Sequence, residues 1–525
     1  MVSLIWRTVL AVTIFFFVAL LSLLFLELQE LPTLAQSPVP TSYISIIEAE
    51  TLDETVVVKP IEPEPSLPPC CNFCGEGDEI CRKWGQDNLA RSRAYEGANT
   101  RLRRVIRKAL SGQAIKIGVL GGSVSVGHSV NNPGDKWQAI YAQWWRDTFF
   151  QDEYLHAHSA EDEQEGLADE VVEWVQLVDG SMADTQSDYL QSCYLEHIDE
   201  DVDLVLVELG ISDIRRAELT TSFEYLLRSL LVLPKNPAII NLQAMSLHPS
   251  EMAPGGDPEL ATAMYYDVPS VNIRNVLLPH LLQHPELESE LTRHWFSHTD
   301  EKGRVDLKHL NAQGHRSMAE MLISMSQRIL CDELKKTNAG LQEEWRSSDK
   351  NIPGNEVLEY LPRLRMSQPY DNHSHVEPTK PMCMSVTSKN HPLVPATTKG
   401  WEKWKATQSA IYYRSMEPGS TISFQIKVGP LGRARVTYWR SKSALGSVWC
   451  WVEVEGTEDS YHVFGKRLDG YWDHEDLHVG TYMTDSVAEN IPPGSHNLTC
   501  RVLGRDEGSS PEKGAEFRII AVDSA

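Results

Sequence analysis

Between Ala114 and Cys331, short apolar runs alternate with longer segments of helical periodicity, and this alternation constrains the fold more than any other feature of the chain. Ile115–Leu120, Val171–Val178, Val202–Leu209 and Ala238–Ala244 are apolar enough to be strands covered on both faces. Lys136–Phe150, Phe223–Leu233, Val271–Leu282 and Ala312–Leu330 repeat apolar residues at helical spacing. Buried strands separated by helices predict an α/β domain over 114–331, built on a parallel sheet. In such sheets ligands gather beyond the carboxyl ends of the strands, so the residues that follow strands are the first candidates for chemistry. The acidic stretch from Asp152 to Glu170 reads as a surface loop.

The flanking regions have other periods. Over 381–525, Thr421–Val428, Ala434–Trp439, Val448–Glu455, Asn497–Leu503 and Phe517–Val522 are strand-like and separated by Gly and Pro turns, which predicts a β-sandwich. Trp449 and Trp451 share a face of one strand, either as a core pair or as a surface on which a sugar ring stacks. Residues 332–380 read as a linker. Residues 70–113 read as a Cys-containing lead-in and a basic helix, with Leu102, Val105, Ile106 and Leu110 at helical spacing. That helix packs by its apolar stripe or lies on a membrane surface.

The N-terminus sets the expected compartment. Thr8–Leu26 holds 19 residues without a charge, close to the length that spans a bilayer and longer than the apolar core of a cleaved leader. Arg7 precedes it and Glu27 and Glu30 follow, so the positive-inside tendency predicts a cytosolic tip at 1–7, a signal-anchor helix at 8–28 and the remainder in the lumen or outside. The expectation is a single-pass type II protein of the secretory pathway or cell surface; a leader cut near Ala35 and a secreted chain is the alternative. Residues 29–69, rich in Pro and Glu, read as an extended stalk.

Lys and Arg total 48 against 73 Asp and Glu, a net charge of −25 that argues against nucleic acid as a partner. Nine cysteines in an oxidising compartment predict disulfides and leave one thiol over. Cys70, Cys71, Cys74 and Cys81 also admit a zinc knuckle, although no second C-x-x-C pair or nearby His completes it. Asn372 and Asn497 open N-x-S/T sequons that would carry glycans on a lumenal chain.

Two segments carry chemistry. The first strand runs into Gly121-Gly122-Ser123-Val124-Ser125, a tight strand-to-helix turn that would present the Ser123 hydroxyl at the sheet edge beside a helix N-terminus. Far along the chain, Asp306-Leu307-Lys308-His309 precedes the last helix on a loop, with Asn311 as its cap. A carboxylate three residues before a His holds one ring nitrogen and leaves the other to accept a proton, the base-and-orienter logic of nucleophilic serines. Ser125, His128 and His315 are the competing candidates nearby.

In this order, at the two ends of one α/β domain, these segments resemble the SGNH (GDSL-type) hydrolase superfamily, and more closely the capsule-associated SGNH-hydrolase-like proteins of fungi and algae. The resemblance is carried by Leu120–Ser125, Ser187-Asp188-Tyr189 with Cys193, Asp201–Glu208, Tyr265–Pro269 and Asp306–His315, and it covers roughly 70–525. It implies a three-layer, flavodoxin-like domain with Ser123 as nucleophile, His309 as base and Asp306 orienting it. It also implies an oxyanion hole from the Ser123 N–H, a Gly after the second strand, for which Gly180 is the candidate, and an Asn after the third, where Ser212 stands instead. Gly122 replaces the family's Asp. No metal or organic cofactor is implied. The expected activity is a membrane-anchored esterase removing O-acyl groups, acetyl foremost, from a glycan. An acyltransferase with the same triad and a lapsed glycan-binding or wall-organising protein are the alternatives.

Overall fold

The computed structural model describes residues 67–150, 173–213, 217–248, 256–298, 305–338, 351, 360–376, 380–406, 410–443, 445–472, 480–507 and 514–525. The expected cytosolic tip, anchor and acidic loop, and nearly all of the stalk, lie outside the described residues. Among the described residues no helix is long and apolar enough to cross a membrane.

The chain enters through helices α1 (Glu79–Trp84) and α2 (Gln86–Ser92), strand β1 (Arg93–Tyr95) and helix α3 (Thr100–Leu110). Next come β2 (Ile115–Gly121), the short α4 (Ser123–Val126), α5 (Trp137–Phe149), β3 (Val175–Asp179), α6 (Ser187–Cys193), β4 (Leu204–Glu208), α7 (Ala217–Leu231) and β5 (Ala238–Gln243). The α/β part closes with α8 (Gly256–Tyr265), β6 (Ser270–Asn272), α9 (Arg274–Gln283), α10 (Glu288–Trp295), β7 (Phe296–His298), β8 (Val305–Leu310) and α11 (Ala312–Asn338).

The sheet order is β1-β6-β5-β4-β2-β3. Strands β2 to β6 run parallel, and β1 lies antiparallel on the β6 edge. Apolar side chains leave both faces of the strands, as a parallel sheet requires. On one face Ile117, Val119, Leu206 and Ile240 pack with Trp137, Tyr141, Trp145, Met318 and Met325 of α5 and α11. On the other, Val205 and Val207 pack with Tyr189 and Leu190 of α6 and Phe223, Leu226 and Leu230 of α7. The result is the three-layer arrangement.

Several sequence expectations shift. The helix expected over Val271–Leu282 starts only at Arg274, because Ser270–Asn272 pairs with β5 as strand β6. Helix α11 continues seven residues past Cys331, with Glu333 still buried against Arg103 and Arg107, so 332–338 is not linker. The described part of 360–376 is not a free tether either. Fully buried Arg228 donates to the Pro362 carbonyl (2.8 Å) and to that of Val376, while Glu224 accepts from Met366 N and Ser367 Oγ (2.7 Å). Helix α3 buries Leu102, Val105, Ile106 and Ala109, so it is a packed helix and not a membrane face.

The C-terminal part holds strands β9 (Met382–Ser385) to β19 (Phe517–Ser524) in two antiparallel sheets. One is ordered β10 (Thr397–Lys399), β13 (Thr421–Val428), β18 (Gly494–Val502), β15 (Ser447–Glu453), β16 (Gly465–Asp469). The other is ordered β11 (Glu402–Lys405), β12 (Ile411–Ser415), β19, β14 (Ala434–Arg440), β17 (Thr481–Ala488), with β9 beside β19. Ile422, Phe424, Ile426 and Val428 point into the space between the sheets. Val448, Cys450 and Val452 do the same, so Trp449 and Trp451 face outward, where Tyr461 stacks on Trp449 with ring centroids 5.4 Å apart. Neither tryptophan is a core residue.

Four disulfides join eight of the nine cysteines. Cys71–Cys331 ties the lead-in to α11, Cys74–Cys81 closes a small loop, Cys193–Cys383 ties α6 to β9, and Cys450–Cys500 links β15 to β18. These bonds consume the thiols that a zinc knuckle would need and leave Cys70 free. The sandwich also meets the α/β part through Arg435, which is buried, pairs with Asp523 (2.8 Å) and reaches Ser192 at the end of α6.

Candidate active site

Strand β2 delivers the chain to the sheet's carboxyl edge, and two glycines then turn it into α4. Gly122 is extended (φ −87°, ψ −152°) and Gly127 ends the helix at φ 78°. A Cβ on Gly121 would collide with the Ser125 side chain, and one on Gly122 with Ser212 Oγ. Gly122 and Ser212 therefore fit each other: the missing side chain at one makes room for the hydroxyl of the other. Ser123 opens α4, where the first N–H groups of a helix lack intrahelical acceptors.

Asp306 and His309 reach the same edge from β8. They were expected on a loop; instead β8 pairs with β7. In a regular strand residues three apart point to opposite faces. Leu307 breaks the alternation with a left-handed φ of 49°, a conformation costly for a branched side chain. It brings both side chains to one side. Asp306 Oδ1 accepts from the N–H groups of Lys308 (3.0 Å) and His309 (3.3 Å), fixing the bend.

The geometry that results is a chain of three side chains. His309 Nδ1 lies 2.6 Å from Asp306 Oδ2, and His309 Nε2 lies 2.9 Å from Ser123 Oγ. Ser123 is 5% exposed, and the Asp306 and His309 side chains are each 18% exposed. Burial holds the imidazole below its ordinary range, although Asp306 pulls the other way. The neutral ring suits proton acceptance.

The other candidates fall elsewhere. Gly180 is not poised as an oxyanion donor, because its N–H is bound to the Val119 carbonyl (3.0 Å). Its lack of a side chain is explained by the His197 backbone, with which a Cβ would clash. Ser212 remains beside Gly122, its own carbonyl taking the Gln186 amide (2.9 Å). His315 accepts the Trp137 backbone N–H at Nδ1 (3.2 Å), and burial pushes it down to about 4, so it is a neutral structural ring. His128 is exposed and sets its ring against that of His309, centroids 5.2 Å apart. Asn311 caps α11 through Gly314 N (3.0 Å). Asn372 and Asn497 are both exposed.

Two residues escaped the sequence reading. Asp184, at φ 62°, offers its carbonyl to Tyr482 N (3.0 Å) and Thr481 Oγ1 (3.2 Å), so the loop after β3 is docked on the sandwich strand β17. Glu208 lies fully buried behind the Ser123 turn. Its signal was present: a lone acid ends the apolar run Leu204–Val207.

No family model matches the chain, and no curated protein matches it. Among solved structures, a two-domain esterase (CEX) active on acetylated mannans is similar, with TM-score 0.53, 16% identity, and 83% of this chain and 98% of that one covered. A second structure of a two-domain esterase (CEX) active on acetylated mannans, co-crystallised with mannopentaose, gives TM-score 0.52, 16% identity, 83% and 97%. At this identity the likeness is one of fold. The class that fold and site define is thus a three-layer α/β domain with a mainly parallel sheet, followed by a β-sandwich.

Proposed function

We propose that this chain is a serine esterase that removes O-acyl groups, acetyl foremost, from a glycan. The observation that carries the reading is the continuous hydrogen-bond chain Asp306–His309–Ser123, at 2.6 and 2.9 Å. Ser123 Oγ attacks the ester carbonyl as His309 Nε2 takes its proton. The imidazolium, held by Asp306, returns that proton to the departing sugar oxygen. Water then adds to the acyl-enzyme with His309 again as base, releasing the carboxylic acid and restoring Ser123. The Ser123 N–H and the Ser212 hydroxyl are the donors assigned to the developing oxyanion. A hydroxyl gives one hydrogen bond where a carboxamide gives two.

The fold likeness to esterases active on acetylated mannans supports a glycan ester as substrate. The sequence resemblance to capsule-associated proteins points to a wall or capsule polysaccharide. The apolar run Thr8–Leu26 places the enzyme on the lumenal or outer side of a membrane in this reading, a compartment in which disulfides persist.

The test is release of acetate from an aryl acetate and from an acetylated oligosaccharide by the wild-type chain and Ser123→Ala. Turnover that disappears with Ser123 is the expected result; undiminished turnover in Ser123→Ala refutes the assignment. Acyl transfer to an added oligosaccharide would make the chain a transferase. Failure of a fluorophosphonate to label Ser123 would leave a glycan-binding protein.

A further inference from the structure

Behind the turn that carries Ser123 runs a line of buried side chains that the reaction above does not use. The Ser125 hydroxyl donates to Glu208 Oε2 (2.8 Å) and accepts from the Trp137 indole N–H (3.2 Å). The Ser125 carbonyl accepts from the Gln138 amide (2.6 Å). Glu208 grips the turn a second time, its backbone carbonyl accepting the Gly122 N–H (3.2 Å). Ser125 and Trp137 are fully buried and Glu208 is 1% exposed. The other Glu208 oxygen, Oε1, has no hydrogen-bond partner among the described residues.

Among the described residues no cationic side chain is hydrogen-bonded to Glu208. From the loop after β4 it faces the buried Asp213, and from α8 the buried Glu259. Asp257, the next acid on α8, is paired with Arg274 (2.6 Å). On the α5 side stand the Trp137 indole and, beyond it, the neutral ring of His315. An ionised carboxylate would be costly in this setting. Burial pushes the Glu208 carboxyl up to about 8; Asp213 adds to the rise, while the Ser125 hydroxyl and the N–H groups of Ser125 and Gly122 hold it back.

We propose that Glu208 is a positioning residue, which fixes the Gly121–Ser125 turn through Ser125 and so aims Ser123 Oγ at His309. The proposal rests on Ser123 being the nucleophile. At pH 7 the neutral acid accepts from Ser125 and needs no partner cation, and a carboxamide is its nearest stand-in. As pH rises through about 8 the proton leaves, a charge develops beside Asp213 and Glu259, and the turn loses its registry.

The experiment measures kcat and KM for an aryl acetate, and the rate of Ser123 labelling by a fluorophosphonate, across pH 6 to 10 on the full chain. Glu208→Leu is expected to lower kcat and labelling by about 10²-fold with KM little changed, the scale of a 1 Å misplacement of a reacting group. Ser125→Ala is expected to lose about tenfold, and Glu208→Gln to restore the rate at pH 7 to within about threefold. The Glu208→Gln profile should also lack the alkaline fall that the wild type shows near pH 8. A wild-type alkaline limb in Glu208→Gln, or full kcat in Glu208→Leu, overturns the proposal. Should Glu208→Leu not fold, the Glu208→Gln profile and Ser125→Ala decide it. An inert Ser123→Ala beside unaffected Glu208 and Ser125 variants sinks this inference alone. An active Ser123→Ala, or a wild type that neither turns over nor is labelled, sinks the esterase reading and this one with it.

Discussion

The α/β part and the sandwich bury polar groups in different ways. In the sandwich, β13 and β15 alternate in and out, whereas β14 and β19 are buried along nearly their whole length and carry the conspicuous buried ion pair of Arg435 with Asp523. In the α/β part, the parallel strands β2 and β4 and the separate antiparallel pair β7–β8 send residues far apart in sequence to one edge. Ser123 after β2, Glu208 at the end of β4, Asp213 beyond it and His309 from β8 meet there, all partly or fully buried. Buried polar networks cost stability unless their geometry is kept. Their concentration at one sheet edge therefore marks where this fold departs from packing alone.

The sharpest break in that contrast comes from the site. Ser123→Ala should lower ester hydrolysis by at least about 10³-fold, and Asp306→Asn by about 10³–10⁴-fold, in steady-state assays with unchanged thermal melting. A drop of less than tenfold for either would detach the buried network from catalysis.

The sandwich should answer in stability. Arg435→Ala leaves Asp523 buried without its partner and should cost about 3–5 kcal/mol in chemical denaturation. A loss below about 1 kcal/mol would mean that water reaches Asp523 and that the pair is not a buried one.

Smaller in size is a shift in pH profile. Only the neutral imidazole accepts a proton, so activity rises as pH climbs through the pKa of His309. Burial lowers that pKa, so the acid limb of kcat/KM should have its midpoint below 6.5. Asp306→Asn removes the group that raises it and should move the residual limb further toward acid. A wild-type midpoint above 6.5 would mean that Asp306 outweighs burial.

The least effect is expected from Trp451→Ala, on the outward face of β15: aryl acetate turnover should stay within about twofold, since its ring packs against Tyr461 within the sandwich, centroids 5.0 Å apart. A larger change would show that the sandwich face communicates with the site.

Much of this was legible in residue order. Periodicity announced the layered sheet, because a strand buried on both faces must be apolar throughout. Gly-Gly-Ser and Asp-x-x-His named the three side chains that the structure brings within hydrogen-bond distance of one another. Less visible was β8, a short strand whose pairing with β7 depends on residues outside it, and whose Leu307 conformation no propensity foretells. Gly180 misled for a similar reason: the glycine answers to the His197 backbone, a neighbour that sequence does not name.

Sequence by itself determined the layering, the change of architecture near residue 381, the abundance of disulfide-forming cysteines and the identity of the three polar groups. The tertiary structure alone decided which cysteines pair, that Trp449 and Trp451 face outward, that Ser212 fills the space Gly122 leaves, and that Glu208 stands behind the turn. The division has one physical cause. Propensity and pattern act over a few neighbouring residues, whereas a hydrogen bond between Ser125 and Glu208 needs two strands to be laid side by side before either side chain can find the other.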